Sequence, residues 1–535
     1  MTISAGAEPE GGPRLIAAFV ALNLRARLGA AFASGVIMAA AQPPVGFWPA
    51  LFLAGPCLFW LWRSSPLRLT FWVGWAAGAG FFSAALHWII EPFLVDAAAH
   101  GWMAPFALSL MAGGLALFWG AAFWAAARLD ARPGGRCWAL CAALLAGWWA
   151  GAEFARSFVL TGFPWALPAY AWTDAAPAQA ASVIGPYGLS LLTLFAAVVF
   201  GAGLGGAGRA RFAPAAVTAL ALASVWIWGE VRLSGEMAAS GPLVRIVQTN
   251  VPQAEKWLPE NRRSGFDRLL ALSQTPVETG AEAAAAPAIV IWPEAAVTFA
   301  IGREEEARDE IARTLGGATL ALGSLRLDDA ASTVTRRSWR NSFFMVGPDA
   351  ALSAPFDKIH LVPFGEYMPF GAWLATLGIS SLAQVTQGID PGEAHVVMRP
   401  AGAPAFAPLI CYEMIFPRET ARAASGVDWM VLVTNDAWFG DWAGPAQHLA
   451  KAQMRAIETG LPIARSANAG LSAMIDPFGR PLGAIGLGRA GVVDSRLPDS
   501  LTPPPYLKYG ESFNALTVCI VALIATMSKR RSRMR

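Results

Sequence analysis

The chain has 535 residues, more than a single ordinary hydrophobic core holds, so at least two domains are expected. Hydrophobic residues make up 55% of it and charged residues only 14%, which excludes an ordinary soluble protein, where about a quarter of residues are charged. A formal net charge of +3, with no basic patch interleaved with aromatics, excludes a nucleic-acid partner.

Residues 1–27 read as a cytoplasmic segment. Their opening, MTISAGAEPEGGPR, is acidic rather than basic, and no short apolar core leads from it to a signal-peptide cleavage site. Over 28–229 charges are sparse and apolar runs dominate, the pattern of a membrane domain. A spanning helix needs about 20 mostly apolar residues. Seven spans are predicted, at 28–41, 48–62, 69–89, 103–127, 137–155, 182–204 and 213–228. Arg63 and Arg68 follow the second, Arg128, Arg132 and Arg136 the fourth, and Arg209 and Arg211 the sixth. The alternate loops QPPVGFWP and EPFLVDAAAHGW carry no Lys or Arg. Positive charge marks cytoplasmic loops, so the N-terminus is predicted inside and the segment after the seventh span outside. An eighth run, Phe513–Met527, then returns the basic tail 528–535, SKRRSRMR, to the cytoplasm.

Between 242 and 494 the composition changes. Short β-rich runs appear (LVRIVQTN, AIVIWPE, ATLALGS, NSFFMVG, APLICYE and WMVLVTND), separated in several places by helical stretches such as GREEEARDEIARTL and AQHLAKAQMRAIETG. Alternating strands and helices predict an extramembrane α/β domain.

Three of its segments end on chemistry-bearing residues. AIVIWPE stops at Pro293 and presents Glu294. FDKIHLVPFGEYMPF carries Lys358, His360 and Glu366. APLICYEMIFP carries Cys411, alone among five cysteines in lying in a segment of mixed composition; Cys57, Cys137, Cys141 and Cys519 sit in apolar stretches. Each reads singly as a loop carboxylate, a surface charge or a core thiol. As a set they are a nucleophile with its helpers. A thiol must lose its proton to attack, a carboxylate can take it, and an ammonium can stabilise the resulting oxyanion. Glu, Lys and Cys at the ends of one sheet are expected to converge at its edge. The five histidines form no ligand cluster, and neither a metal nor a cofactor is expected.

The order Glu, Lys, Cys in the contexts WPE, DK and CYE resembles the nitrilase (carbon–nitrogen hydrolase) superfamily, with its Glu–Lys–Cys triad on an α-β-β-α sandwich. KIHLVPFGEYMP, the seven preceding spans and the one that follows resemble the apolipoprotein N-acyltransferase family over nearly the whole chain. That resemblance implies Glu294 as general base, Lys358 as oxyanion-stabilising cation and Cys411 as nucleophile. Glu366, Trp257 in QTNVPQAEKW, Tyr412 and Glu413 match supporting positions. It further implies a ping-pong acyl transfer through a Cys411 thioester, from a membrane phospholipid to the α-amine of a diacylglyceryl-modified apolipoprotein. The enzyme would sit in the bacterial inner membrane with its catalytic domain in the periplasm. MPFGAWLATLGI and AWFGDWAG, with Trp438, Phe439 and Trp442, are expected as lids admitting lipid. Two rivals share parts of this pattern: a membrane-anchored amidase with the same triad, and a transporter or scaffold with an inactive nitrilase-like domain. The rival transporter would use Glu153 and Arg156.

Overall fold

A computed structural model describes residues 18–19, 21–130, 138–203, 212–277, 286–333, 336–369, 389–510, 512 and 516. Nearly all of the predicted eighth span and its tail, most of segment 1–27 and the MPFGAWLATLGI loop from Phe370 onward lie outside the described residues. The chain forms two compact units, one over residues up to Ile90 and Met103–Ser234, the other over Glu91–Trp102 and Gly235–Lys508.

The first unit is helical. Among the described residues it holds seven helices of fourteen or more residues: α1 (Leu24–Ala39), α2 (Ala50–Arg63), α3 (Leu67–Ala85), α4 (Ala104–Leu129), α5 (Trp138–Ala155), α6 (Ala181–Gly203) and α7 (Ala213–Leu233). One occupies each predicted span. Among the described residues three stretches, 97–129, 176–203 and 213–233, are long and apolar enough to cross a membrane, with a fourth if α3 and the bent segment His87–Leu94 count as one. Prolines bound the shorter helices: Pro43 and Pro44 follow α1, Pro49 precedes α2 and Pro66 precedes α3. The 14 residues of α2 span about 21 Å, short of a hydrocarbon core of about 30 Å.

Small residues let these helices approach closely, as apolar surroundings favour. A Cβ on Gly80 of α3 would fall 2.1 Å from the Phe32 carbonyl oxygen of α1. Glu153 and Arg156, the charges a transport path would use, are spent on each other: Arg156 pairs with Glu153, and Trp119 Nε1 donates to Glu153 Oε1 at 2.6 Å.

In the second unit, eleven strands among the described residues form two sheets. They are β1 (Leu243–Gln248), β2 (Ile289–Ile291), β3 (Thr319–Asp328), β4 (Ser338–Val346), β5 (Phe356–Asp357), β6 (Phe406–Ile410), β7 (Trp429–Thr434), β8 (Ile463–Ala467), β9 (Ser472–Ile475), β10 (Pro481–Ile485) and β11 (Gly491–Arg496). One sheet runs β11-β1-β2-β3-β4-β5 and the other β10-β9-β8-β7-β6. β1, β2 and β3 are parallel, as are β6, β7 and β8.

Side chains alternate across a strand, so a sheet covered on both faces needs apolar residues at every position. In WMVLVT, Val431 and Val433 face the opposite sheet, where they pack with Ile246, Ile291 and Phe343. Met430 and Leu432 face outward, beneath α10 (Pro417–Ala423) and α11 (Ala443–Thr459), whose Ala423, Ala452 and Ala456 join them. On the other sheet Val290 and Leu320 face Phe266 and Leu269 of α8 (Asn261–Ser273) and Ile311 of α9 (Glu305–Leu315). The layers are thus helix, sheet, sheet, helix, as expected.

Candidate active site

The three expected residues stand where strands end. β2 stops at Ile291, and Glu294 follows three residues later on a segment still tied to β3, with Gly323 N donating to the Pro293 carbonyl at 3.2 Å and Ala296 N donating to the Gly323 carbonyl at 2.9 Å. Gly323 of β3 makes room there: a Cβ on it would meet Glu294 Cα at 2.7 Å. Lys358 follows β5, its N–H donating to the Asn341 carbonyl at 2.8 Å and its carbonyl accepting from Gly392 N at 2.8 Å. Cys411 follows β6 with φ +48°, and opens a turn over Cys411–Ile415. The single-sheet expectation is corrected here. Glu294 and Lys358 come from the six-stranded sheet and Cys411 from the five-stranded one, because β5 and β6 are edge strands of different sheets.

Lys358 is the buried centre of the cluster, 1% exposed, with Nζ 3.4 Å from Glu294 Oε1 and 2.9 Å from Glu366 Oε2. Burial opposes its charge, but the Glu366 and Glu294 carboxylates outweigh this and hold it above the ordinary lysine range. Asn341 of β4 donates Nδ2 to Glu294 Oε1 at 2.8 Å and to Glu366 Oε1 at 3.1 Å. The Val362 N–H fixes the other Glu366 oxygen at 2.7 Å. Burial, and next the Glu294 carboxylate, push the Cys411 thiol well above its usual range; the Lys358 charge pulls it back in part. The sulfur therefore rests as a thiol beside a carboxylate and an ammonium, an arrangement that can deprotonate it as it attacks a carbonyl.

Glu413 joins two of the loops. It is buried, and its Oε1 accepts from Ile359 N at 2.8 Å while Oε2 accepts from Ile410 N at 2.7 Å. One carboxylate thus bridges the residue after Lys358 and the residue before Cys411. Tyr412 is buried against the rings of His360 and Phe416, with centroids 5.5 and 5.2 Å away. His360 stacks on Phe416 and pairs with Glu419, and so serves the wall around Tyr412. Trp257 stands apart from this hydrogen-bonded cluster, 45% exposed at the end of a short helix. Its neighbour Lys256 is buried instead, with Nζ donating to the Glu294 carbonyl at 3.1 Å. Burial brings Lys256 down to about 8, against the pull of Glu294.

Sequence reasoning missed Asn341 and Lys256. Asn341 shares a strand face with the inward-facing Phe343, so a polar residue at an inward position was the available signal. Nothing in QAEKW distinguishes Lys256 from a solvated lysine. Of the expected lid residues, Trp438 and Trp442 are exposed, whereas Phe439 packs edge-on against His448 at 5.7 Å.

Residues 34–199 match the apolipoprotein N-acyltransferase N-terminal domain family, and residues 243–502 the carbon–nitrogen hydrolase family. An apolipoprotein N-acyltransferase of Rhodopseudomonas palustris is 36% identical over 515 residues, covering 94% of this chain and 95% of its own. One from Caulobacter vibrioides is 37% identical, with 94% of each chain covered. One from Brucella melitensis is 38% identical, with 92% of this chain and 93% of its own covered.

Proposed function

The chain belongs to the apolipoprotein N-acyltransferase family, and from that premise we propose that it moves an acyl chain from a membrane phospholipid to the N-terminal amine of a diacylglyceryl-modified apolipoprotein, through a thioester on Cys411. The observation that carries the site assignment is Lys358 buried between the Glu294 and Glu366 carboxylates, with its charge and that of Glu294 both acting on the Cys411 thiol.

In the first step Cys411 Sγ attacks the ester carbonyl carbon while Glu294 takes the thiol proton. The carbonyl π electrons move onto oxygen, and the Lys358 ammonium stabilises that oxyanion. Collapse breaks the bond to the glycerol oxygen, Glu294 returns the proton to it, and lysophospholipid leaves. In the second step the lipoprotein's free amine attacks the thioester. Glu294 takes a proton from the nitrogen and returns it to sulfur as the C–S bond breaks, leaving an amide. A thioester suits this relay because an amine attacks it more readily than the parent ester. Glu366 and Asn341 keep Lys358 and Glu294 in place, Glu413 holds the two loops together, and Tyr412 walls the nucleophile's turn.

The apolar unit fits the substrates. Withdrawing an acyl chain into water costs about 0.8 kcal/mol per CH₂, on the order of 10 kcal/mol for a chain of roughly fourteen to sixteen carbons. An enzyme whose two substrates both carry such chains works best without leaving the bilayer. The arginine pattern of the loops supports a topology of eight spans, with both termini cytoplasmic and residues 242–494 periplasmic in the inner membrane. Exposed Trp438 and Trp442 favour an interfacial role for their loop.

The test follows the acyl group. Purified full-length protein is mixed with phospholipid vesicles and a synthetic diacylated lipopeptide. Triacylated peptide and lysophospholipid should accumulate in equal amounts, and Cys411→Ala should abolish both. Free fatty acid in place of triacylated peptide would mark a hydrolase, and neither product would exclude acyl chemistry.

A further inference from the structure

Cys411 has a backbone that residues with a Cβ adopt only when neighbours hold them there: its φ of +48° lies in the left-handed region. Much of the grip comes from α11. His448 Nε2 lies 3.2 Å from the Cys411 carbonyl oxygen. A carbonyl can only accept, so Nε2 carries a proton whatever the state of Nδ1. Arg455 lies seven residues, two helical turns, further along the same face. It donates Nη1 at 3.4 Å to the carbonyl of Ile415, at the other end of the Cys411–Ile415 turn. One helix therefore holds both ends of the nucleophile's turn.

The imidazole is itself oriented from the sheet. Its Nδ1 lies 2.9 Å from Asp436 Oδ1 and 3.1 Å from Arg465 Nη2. Arg465, on β8, also binds Asp436 Oδ2 at 2.6 Å, and Thr434 donates to Asp436 Oδ1 at 3.0 Å. His448, Asp436 and Arg465 are all fully buried, so the ring has little freedom to turn.

We infer that His448, oriented by Asp436 and Arg465, is a positioning residue that holds the Cys411 peptide left-handed and so aims Sγ at the ester carbonyl. This rests on Cys411 being the nucleophile. His448 takes no proton from substrate. Its part is to fix the carbonyl from which the Cys411 side chain is hung, and a misplacement of about 1 Å in a reacting group costs roughly 100-fold in rate.

Two measurements on the full chain test this. First, His448→Gln places an N–H donor near the position of Nε2, whereas His448→Asn falls short of it. With phosphatidylethanolamine vesicles, acylation of Cys411 followed by intact mass should slow at least about 30-fold in His448→Asn, with unchanged half-saturating lipid. His448→Gln should return to within about fivefold of the unsubstituted protein. Equal rates in the two variants overturn the inference. No adduct at Cys411 in the unsubstituted protein overturns the nucleophile assignment, and this inference with it. Second, ring ¹⁵N resonances of the unsubstituted protein should show His448 Nε2 protonated. An unprotonated Nε2 overturns the inference whether or not the variants fold.

Discussion

Lys358 carries most of the electrostatic work of the site. It is a buried cation shared by two carboxylates that Asn341 also bridges. Lys358→Met would leave Glu294 and Glu366 facing each other without their counter-charge and remove the cation proposed to stabilise the oxyanion. Single-turnover acylation should fall by about 10²–10³, and the thermal unfolding midpoint should drop as well, since uncompensated buried charge is costly. Glu413 makes a different prediction. Burial lifts it from the ordinary 4.5 to about 7, although N–H bonds from Ile410 and Ile359 oppose the shift. The folded chain then holds that proton more tightly than the unfolded chain. Its stabilising contribution is complete below pH 4.5 and is lost as pH rises through about 7. Glu413→Gln should flatten the decline of the unfolding midpoint across that window, with a residual slope from Glu458, which burial also lifts to about 7. An unaltered pH profile would show that Glu413 does not titrate there.

The site is built from strand ends, and its accuracy depends on how closely those strands approach. β3 meets the Glu294 segment through Gly323, and even the single methyl of Gly323→Ala would have to displace Glu294 Cα or the Ala295 N–H. Acylation should fall by about 100-fold while the far-ultraviolet spectrum stays unchanged; a full rate would mean that Glu294 tolerates the shift. Strand ends also explain how much of the site was legible beforehand. Glu294 and Cys411 close short continuous apolar runs bounded by turn residues, the mark of a buried strand, and Lys358 follows the short Phe356–Asp357 strand. The sheet to which each strand belongs was not legible, because pairing partners lie far apart in the chain and β5 is only two residues long. Lys256 was invisible for a related reason, and Asn341 showed only as a polar residue at an inward strand position: the partner of each is supplied by tertiary contact. Glu413, noticed only for its place beside Cys411, acts as a tie between segments 54 residues apart.

The whole molecule couples an apolar helical unit to a nitrilase-like sandwich, and this pairing separates its reading from that of a soluble amidase. The helical unit was legible as seven apolar runs, since each holds a helix. Among the described residues, length and apolarity single out three or four of these helices as long enough to cross a membrane, and the 14-residue α2 is one of the shorter ones. The charges that favoured a transporter, Glu153 and Arg156, form a closed pair. What remains specific to an acyltransferase is a covalent intermediate: a transporter needs none, and an amidase would not form one from phospholipid. The most direct measurement is therefore the intact mass of the full-length protein after incubation with a phospholipid of defined acyl chain and no acceptor. The protein should gain the mass of one acyl group on Cys411, lose it when a diacylated lipopeptide is added, and gain nothing as Cys411→Ala or Glu294→Ala. An unmodified protein, or the same adduct on Cys411→Ala, would contradict the account.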